Sequence, residues 1–265
     1  MCTIIAKKFT NIGWVGVKNR DRPAATRTEL LRNQNNGLQR VTLMDETTRW
    51  TEGMNSHGVS ILSSSLSPVT NGVTSGAAVH LSKDGLMIRD ALAESSVDNA
   101  VSLLRNRGVG GCVMVFDADK LVLIEGKTGD GRRQVIREIT DDQIARTNHG
   151  VWIPAAGYQP HASDLVLQMR RISSIARLEI ANYILDTATN PNELMPLLAK
   201  KWVNNAQMTT LRTPTSTLDT RTTEQLMLNP RMNLILVRNI NGVLEFNQQD
   251  ANPIDSNILV GVVQI

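Results

Sequence analysis

Met1-Cys2-Thr3-Ile4-Ile5-Ala6-Lys7-Lys8-Phe9, followed after Asn11-Ile12 by Gly13-Trp14-Val15-Gly16-Val17-Lys18-Asn19-Arg20-Asp21, is the stretch on which the fold turns. Cys2–Phe9 and Gly13–Lys18 read as strands, with Asn11-Ile12 as the turn region of a hairpin. A hairpin of this length returns the end of its second strand to the start of its first, so Asp21 and a basic residue fall beside Cys2. Met1 precedes a small side chain, the context in which an initiator methionine is removed. A mature chain beginning at Cys2 would carry a thiol and a free α-amine on one residue. An unperturbed α-amine has a pKa of about 7.7–8.0, so near neutral pH part of it accepts a proton. Nucleophile and general base then share a residue. A carboxylate at Asp21 would hold the ammonium or thiol in place, and a neighbouring cation would favour thiolate.

Outward from that hairpin, strands and helices come in blocks. Short strands are expected at Arg40–Met44, Thr47–Glu52 and Gly58–Ser65, with the polar Ala24–Gly37 as a surface loop and Ser63–Gly76 as loop. Ser82–Arg105 reads as one or two amphipathic helices, N-capped at Ser82 and interrupted near Ser95-Ser96. Strands at Cys112–Phe116, Leu121–Glu125 and Arg133–Ile139 follow, then helices at Ser163–Ala188 and Asn192–Val203. The last third reads as strands at Leu226–Leu228, Met232–Ile240, Gly242–Asn247 and Ile258–Ile265, with Asn241-Gly242 as a tight hairpin turn. Blocks of this kind argue for a layered α+β fold with largely antiparallel sheets rather than a doubly wound parallel one. No repeat or boundary stands out, and residues 1–265 read as a single domain.

Composition narrows the function classes. The chain has 265 residues, enough for a sizeable core, and its 3% aromatic content leaves that core to Leu, Ile, Val, Met and Ala. A net charge of +3 is spread over isolated basic pairs, without the dense stripe a nucleic-acid binder needs. Two cysteines, Cys2 and Cys112, support neither a disulfide framework nor a thiolate metal site. The apolar run at Thr3–Ala6 is too short for a signal peptide and no stretch reaches a membrane span, so the expected compartment is the cytoplasm. Gly108–Gly111 leads into a strand rather than a helix, which disfavours a nucleotide loop.

Three further constellations bear on chemistry. In Glu52-Gly53-Met54-Asn55-Ser56-His57-Gly58, Asn55 and Gly58 suit turn positions with positive φ, and Ser63-Ser64-Ser65 can present hydroxyls or amides to a ligand. In Thr147-Asn148-His149-Gly150, Asn148 is a good neutral donor for an oxyanion, while His149 reads as a loop histidine. In Ser173-Ser174-Ile175-Ala176-Arg177, Arg177 fits two readings: a cation aimed at a site, or an exposed arginine on a charged helix face.

The order Met-Cys-Thr, Asn-x-Asp, Gly-Met-Asn-x-x-Gly, Thr-Asn, Ser-Ser-x-x-Arg, spread over about the first 180 residues, resembles the choloylglycine hydrolase group, which includes penicillin V acylase, bile salt hydrolase and isopenicillin N type acyltransferases. The resemblance implies a four-layer αββα Ntn-hydrolase sandwich of two mostly antiparallel sheets. It implies Cys2 as nucleophile with its own α-amine as base, Asp21 near both, Asn148 in the oxyanion hole and Arg177 in the charge network beneath. Lys18, Asn19 and Ser65 are the candidate substrate-binding residues. Members of the bile salt type carry Arg in place of Lys18 and Asn in place of Ser65, and Asn19-Arg20-Asp21 also resembles an Asn-Arg-Asp-Glu motif with Arg22 in place of the Glu. The implied activity is cleavage of a linear amide in a small N-acylated molecule through a Cys2 thioester, without metal or organic cofactor, in a possible homo-oligomer. The alternatives are acyl transfer to an amine on the same fold, or a silent Ntn-fold binding protein.

Overall fold

The computed structural model describes residues 2–22, 27–35, 37–66, 75–127, 133–158, 165–200, 210, 221–240, 243–248 and 258–264. The first two strands, β1 (Thr3–Phe9) and β2 (Gly13–Arg22), pair antiparallel in the register Thr3↔Asn19 and Ile4↔Lys18. The sequence of β1 shows no polar alternation because both of its faces are buried. Ile4 and Ala6 enter one apolar cluster while Ile5 enters another on the opposite side. β2 shares this property, and it divides its polar end between the two faces: Lys18, Arg20 and Arg22 on one, Asn19 and Asp21 on the other.

Among the described residues the strands form two sheets. The six-stranded sheet has the order β10–β1–β2–β11–β12–β14, with β10 at Gln143–Arg146, β11 at Arg221–Asn229, β12 at Leu234–Asn239 and β14 at Leu259–Gln264. The eight-stranded sheet has the order β13–β3–β4–β5–β6–β7–β8–β9. Its strands are β13 (Val243–Gln248), β3 (Arg27–Asn35), β4 (Leu38–Asp45), β5 (Thr51–Asn55), β6 (Ser60–Ser64), β7 (Gly111–Phe116), β8 (Leu121–Gly126) and β9 (Gln134–Glu138). Pairing is antiparallel except at the β12–β14 and β13–β3 edges.

Three apolar layers order the whole. Trp14, Met54, Leu62, Phe116, Leu226 and Val237 fill the space between the sheets. Helices α1 (Ser75–Ala91) and α2 (Val97–Arg107) cover the eight-stranded sheet through Ile88, Leu92 and Leu104 on Ile61, Val113 and Ile124. Helices α3 (Leu165–Thr187) and α4 (Pro191–Ala199) cover the six-stranded sheet through Ile184, Leu185, Leu194 and Leu198 on Ile5, Val15, Val17 and Met227. The result is a helix–sheet–sheet–helix stack, the αββα sandwich. None of its described helices is long and apolar enough to cross a membrane.

Several local expectations fail for physical reasons. The expected loop Ala24–Gly37 holds β3, which pairs with β4 on one side and β13 on the other. Its polar composition hid the strand; among its described side chains only Thr28, Leu30 and Leu31 are buried, and pairing overrides propensity. Ser82 lies inside α1, which starts at Ser75, and Ser96 is the residue that caps a helix, its Oγ accepting from Asn99 N at 3.2 Å. The strand expected at Thr47–Glu52 starts at Thr51 and runs to Asn55. Asn241-Gly242 lies outside the described residues, but β12 and β13 on either side belong to different sheets and do not form a hairpin.

Gly53 lies opposite Thr42 where β5 meets β4, and a Cβ there would come within 2.1 Å of the Val41 carbonyl oxygen. The obstacle is backbone inside a sheet, which cannot turn away. Gly53→Ala should therefore destabilise the fold by about 1–3 kcal/mol, read as a lower thermal midpoint; an unchanged midpoint would mean that the two strands separate freely.

Candidate active site

β10 and β2 flank β1, and their registers assemble the site. The pairing Ile4↔Arg146, carried two steps on, sets Asn148 opposite Cys2; the pairing Thr3↔Asn19, carried one step, sets Arg20 opposite it on the other side. Cys2 is buried. Its backbone N–H donates to Asn148 Oδ1 at 2.7 Å, and its carbonyl accepts from Arg177 Nη1 at 3.0 Å. Arg177 also donates from Nη1 to Thr3 Oγ1 at 3.1 Å and from Nη2 to Asn148 Oδ1 at 3.3 Å. Its Nη1 stands 4.0 Å from Asp21 Oδ2, while Asp21 Oδ1 accepts from Thr222 Oγ1 at 2.8 Å. Of the two readings of Arg177, the buried one holds: the side chain is fully covered on the inner face of α3.

The orientation of Asn148 follows from its partners. Oδ1 meets Cys2 N and Arg177 Nη2, which only donate, and Nδ2 meets the Ser65 carbonyl at 2.8 Å, which only accepts. The remaining Nδ2 hydrogen goes to Ser64 Oγ at 3.0 Å. Beneath it, Asn148 N donates to Ser174 Oγ at 2.9 Å, and Ser174 Oγ donates to Thr147 Oγ1 at 2.9 Å. With that hydrogen committed, His149 Nδ1, 2.9 Å from Ser174 Oγ, acts as donor. Burial, with Arg171, Arg177 and Arg146 nearby, lowers the His149 pKa to about 4, so the ring is neutral near pH 7 and props the Asn148 loop.

The other face of β2 carries a buried column of charge between the sheets. Lys18 Nζ donates to Glu52 Oε1, Ser63 Oγ donates to the same oxygen at 3.2 Å, and Arg20 Nε stands 3.0 Å from Glu52 Oε2. Arg20 Nη1 stands 3.4 Å from Glu224 Oε2, and Arg22 Nε 3.3 Å from Asp45 Oδ2. Burial alone would raise the Glu52 pKa, but Lys18, Arg20 and Arg22 lower it to about 2. The same reasoning applies to Cys2, whose side chain shares this face. Burial pushes its thiol up, cations led by Lys18 with Arg22 among them more than offset that, and Asp21 opposes them, for a net lowering. Burial also lowers the pKa of Lys18, against the pull of Cys2 and Glu52. Cys112 goes the other way: burial and Glu125, 3.9 Å from its sulfur, raise it.

The structure thus brings Cys2, Asp21, Asn148, Arg177, Lys18 and Ser65 together, with Ser65 meeting Asn148 through its carbonyl. It does not bring Asn19 to the thiol. That side chain points to the helical side of β2, donating to the carbonyls of Leu198 at 3.1 Å and Thr210 at 2.7 Å and accepting from Gln225 Nε2 at 2.8 Å. Asn19 shares a strand with Lys18 but alternation turns it away, so it is a structural tie. Gly58 takes the expected positive φ, +81°, but Asn55 does not: it ends β5 and fixes the turn through its side chain, Oδ1 accepting from His57 N and Val59 N, both at 3.0 Å. Glu52 is the member of this candidate site that sequence reasoning missed. The signal was the alternation Lys18-x-Arg20-x-Arg22, three cations on one face of a buried strand that demand anions across from them.

No known family model matches the chain, and no curated protein matches it in sequence. Solved structures do. A point variant of conjugated bile acid hydrolase from Clostridium perfringens superposes with a TM-score of 0.51 at 10% identity, over 90% of this chain and 89% of that one. Penicillin V acylase from Agrobacterium tumefaciens gives 0.47 at 13% identity, over 90% and 86%. The αββα sandwich is therefore the Ntn-hydrolase fold of conjugated bile acid hydrolase.

Two outcomes are expected. In Glu52→Gln, buried Lys18 loses its carboxylate and sheds its proton, so the Cys2 thiol pKa rises and alkylation by iodoacetamide at neutral pH slows several-fold; an unmoved pH profile of alkylation would remove Glu52 from thiol control. His149 binds a proton near pH 6.5 when unfolded but only near 4 when folded, so stability is fully present above 6.5 and falls as pH drops toward 4. His149→Asn, which keeps a donor to Ser174, should flatten that part of the stability profile in urea unfolding; parallel profiles would count against it.

Proposed function

We propose that the protein is a cysteine N-terminal-nucleophile amidase that cleaves the linear amide of a small N-acylated molecule. The observation that carries this reading is the convergence on residue 2: Asn148 on its nitrogen, Arg177 on its carbonyl, and Lys18 on the face of its thiol. Nothing about a buried second residue requires such an investment in polar partners from β2, β10 and α3. A terminal residue that must hold both an amine and a thiolate does.

In this reading Met1 is removed and the Cys2 nitrogen becomes the α-amine, still held by Asn148 Oδ1. The thiol passes its proton to that amine, and the thiolate attacks the substrate carbonyl. Asn148 receives the oxyanion on the Nδ2 hydrogen it otherwise gives Ser64, together with a backbone N–H; each such donor contributes roughly 3–4 kcal/mol in comparable sites. The ammonium then protonates the leaving amine as the C–N bond breaks, and water releases the acid from the Cys2 thioester. Asp21 and Arg177 fix the ammonium end without exchanging protons. Acyl transfer would differ only in an amine replacing that water.

The intact mass should lack Met1, and a chain that retains it has no free amine at Cys2 and cannot work this way. Cys2→Ala should abolish turnover of N-acyl amides with the fold retained, while Cys112→Ala leaves turnover in place; the reverse pattern would assign the wrong thiol. Asn148→Asp keeps an acceptor for the amine but no donor for the oxyanion. It should lower the rate of thioester formation by about 10²-fold or more, and an unchanged rate would confine Asn148 to holding the amine.

A further inference from the structure

Glu125 stands on β8 where the strand pattern calls for an apolar side chain. Leu121 and Leu123 share its face and join Met114 and Phe116 in the cluster between the sheets, and Glu125 is buried as fully as they are. Its carboxylate is directed at one short segment of the loop that follows Asn148. Oε1 accepts from Trp152 N at 2.8 Å and from Ile153 N at 2.6 Å, while Oε2 lies 3.9 Å from Cys112 Sγ and 3.8 Å from Arg146 Nε. Two consecutive N–H groups on one carboxylate oxygen form a charge-assisted grip, stronger than neutral pairs. The guanidinium groups of Arg146 and Arg137, 4.8 and 4.9 Å from the Trp152 ring centre, add a second hold from β10 and β9, edge strands of the two sheets.

The loop carries that grip to Asn148 because it has no slack. Gly150 N donates to the Ala156 carbonyl at 2.9 Å, Ala156 N to the Ile153 carbonyl at 2.8 Å, and Tyr158 N to the Asn148 carbonyl at 3.3 Å. A Cβ on Gly150 would come within 1.9 Å of the Ile153 carbonyl oxygen, and one on Gly157, at φ +69°, within 2.4 Å of that of Asn148. Ser174, backed by His149, holds Asn148 from the α3 side. Glu125 holds its loop from the eight-stranded sheet, so Asn148 is fixed between two layers of the molecule.

We propose that Glu125 is a positioning residue for Asn148: its grip on Trp152 and Ile153 keeps the Asn148 amide at the Cys2 nitrogen and aims Nδ2 at the developing oxyanion. The oxyanion part rests on the amidase reading; the grip on the loop does not. Misplacing such a donor by about 1 Å lowers a rate by about 10²-fold. The loss falls on kcat, because the donor is needed in the transition state more than in the bound substrate.

The test follows release of p-nitroaniline from butyryl p-nitroanilide. Glu125→Ala should lower kcat by about 10- to 100-fold with KM within about twofold. Glu125→Gln keeps an acceptor for both N–H groups and should recover most of that loss. In the Asn148→Asp background, Glu125→Ala should lower kcat by less than about threefold further, since a residue acting through Asn148 has nothing left to aim. Losses that multiply independently overturn the proposal, as does a loss confined to KM. Where Glu125→Ala does not fold, Glu125→Asp, a methylene short of the two N–H groups, takes its place with the same expectations. If no p-nitroanilide from acetyl to decanoyl is cleaved by the native protein, the amidase reading falls, and hydrogen exchange decides for Glu125. Exchange at the Asn148 and Tyr158 amides quickened about tenfold or more by Glu125→Ala upholds the positioning role; quickening at Trp152 and Ile153 alone, or none, rejects it.

Discussion

The pairing of β1 between β10 and β2 is the constraint from which the rest of this molecule follows. Two registers place residue 2 between Asn148 and Arg20, and so bring Asn148 Oδ1, nearly 150 positions away in the chain, within 2.7 Å of the Cys2 nitrogen. Because strand side chains alternate, the same pairing sorts the neighbours of Cys2 into two environments. Thr3, Asp21 and Arg177 gather about its backbone on the helical side, while Asn148 meets its nitrogen and bonds Ser64 of the facing sheet. Lys18, Arg20 and Arg22 line the face between the sheets that its thiol shares.

Burying that many charges is unfavourable unless each is answered, and a lone buried ion pair seldom recovers its desolvation penalty. Here the answers come from separate strands: Glu52 from β5, Glu224 from β11, Asp45 from β4. The column therefore joins the two sheets at the end where Cys2 sits, in place of the apolar contacts that join them elsewhere. A core built only for stability would use Leu and Phe at these positions, as it does around Phe116 and Leu62. The polar column is better understood as an electrostatic setting for the thiol, held rigid by the sheets it bridges. Function and stability are linked at that point, since loss of any one member leaves an unanswered charge at the interface.

What the sequence made legible follows the same division. The opening hairpin, the block order of strands and helices, and the break at Ser95-Ser96 were readable because they depend on local periodicity and capping. β3 was not, because its polar residues become a strand only through pairing with β4 and β13. Asp21 is placed near Cys2 by hairpin geometry, and Asn148 by the order of motifs shared with the choloylglycine hydrolase group. Asn19 neighbours Lys18 in sequence but not in space, because neighbouring residues of a strand face opposite ways and its side chain turns to Leu198, Thr210 and Gln225. Glu52 is not legible in the sequence, because its ion pairs with Lys18 and Arg20 form only across the gap between the sheets.

The two cysteines show most directly what the long-range arrangement adds. Both are buried, and burial by itself raises the pKa of either thiol. Cys112 sits on β7 opposite Glu125, so the neighbouring charge works in the same direction as burial and the thiol stays inert. Cys2 sits beside the cationic face of β2, where Lys18, the terminal ammonium and Arg22 together work against burial and prevail. The difference does not lie in either cysteine or in its local sequence, since each begins an apolar strand. It lies in which face of which neighbouring strand the sulfur meets, and a one-residue slip of β2 would present Asn19 and Asp21 to Cys2 instead of Lys18 and Arg20. An Asp in that place would raise the thiol pKa, as Glu125 does for Cys112, so the direction in which the thiol of residue 2 is shifted depends on the hairpin register.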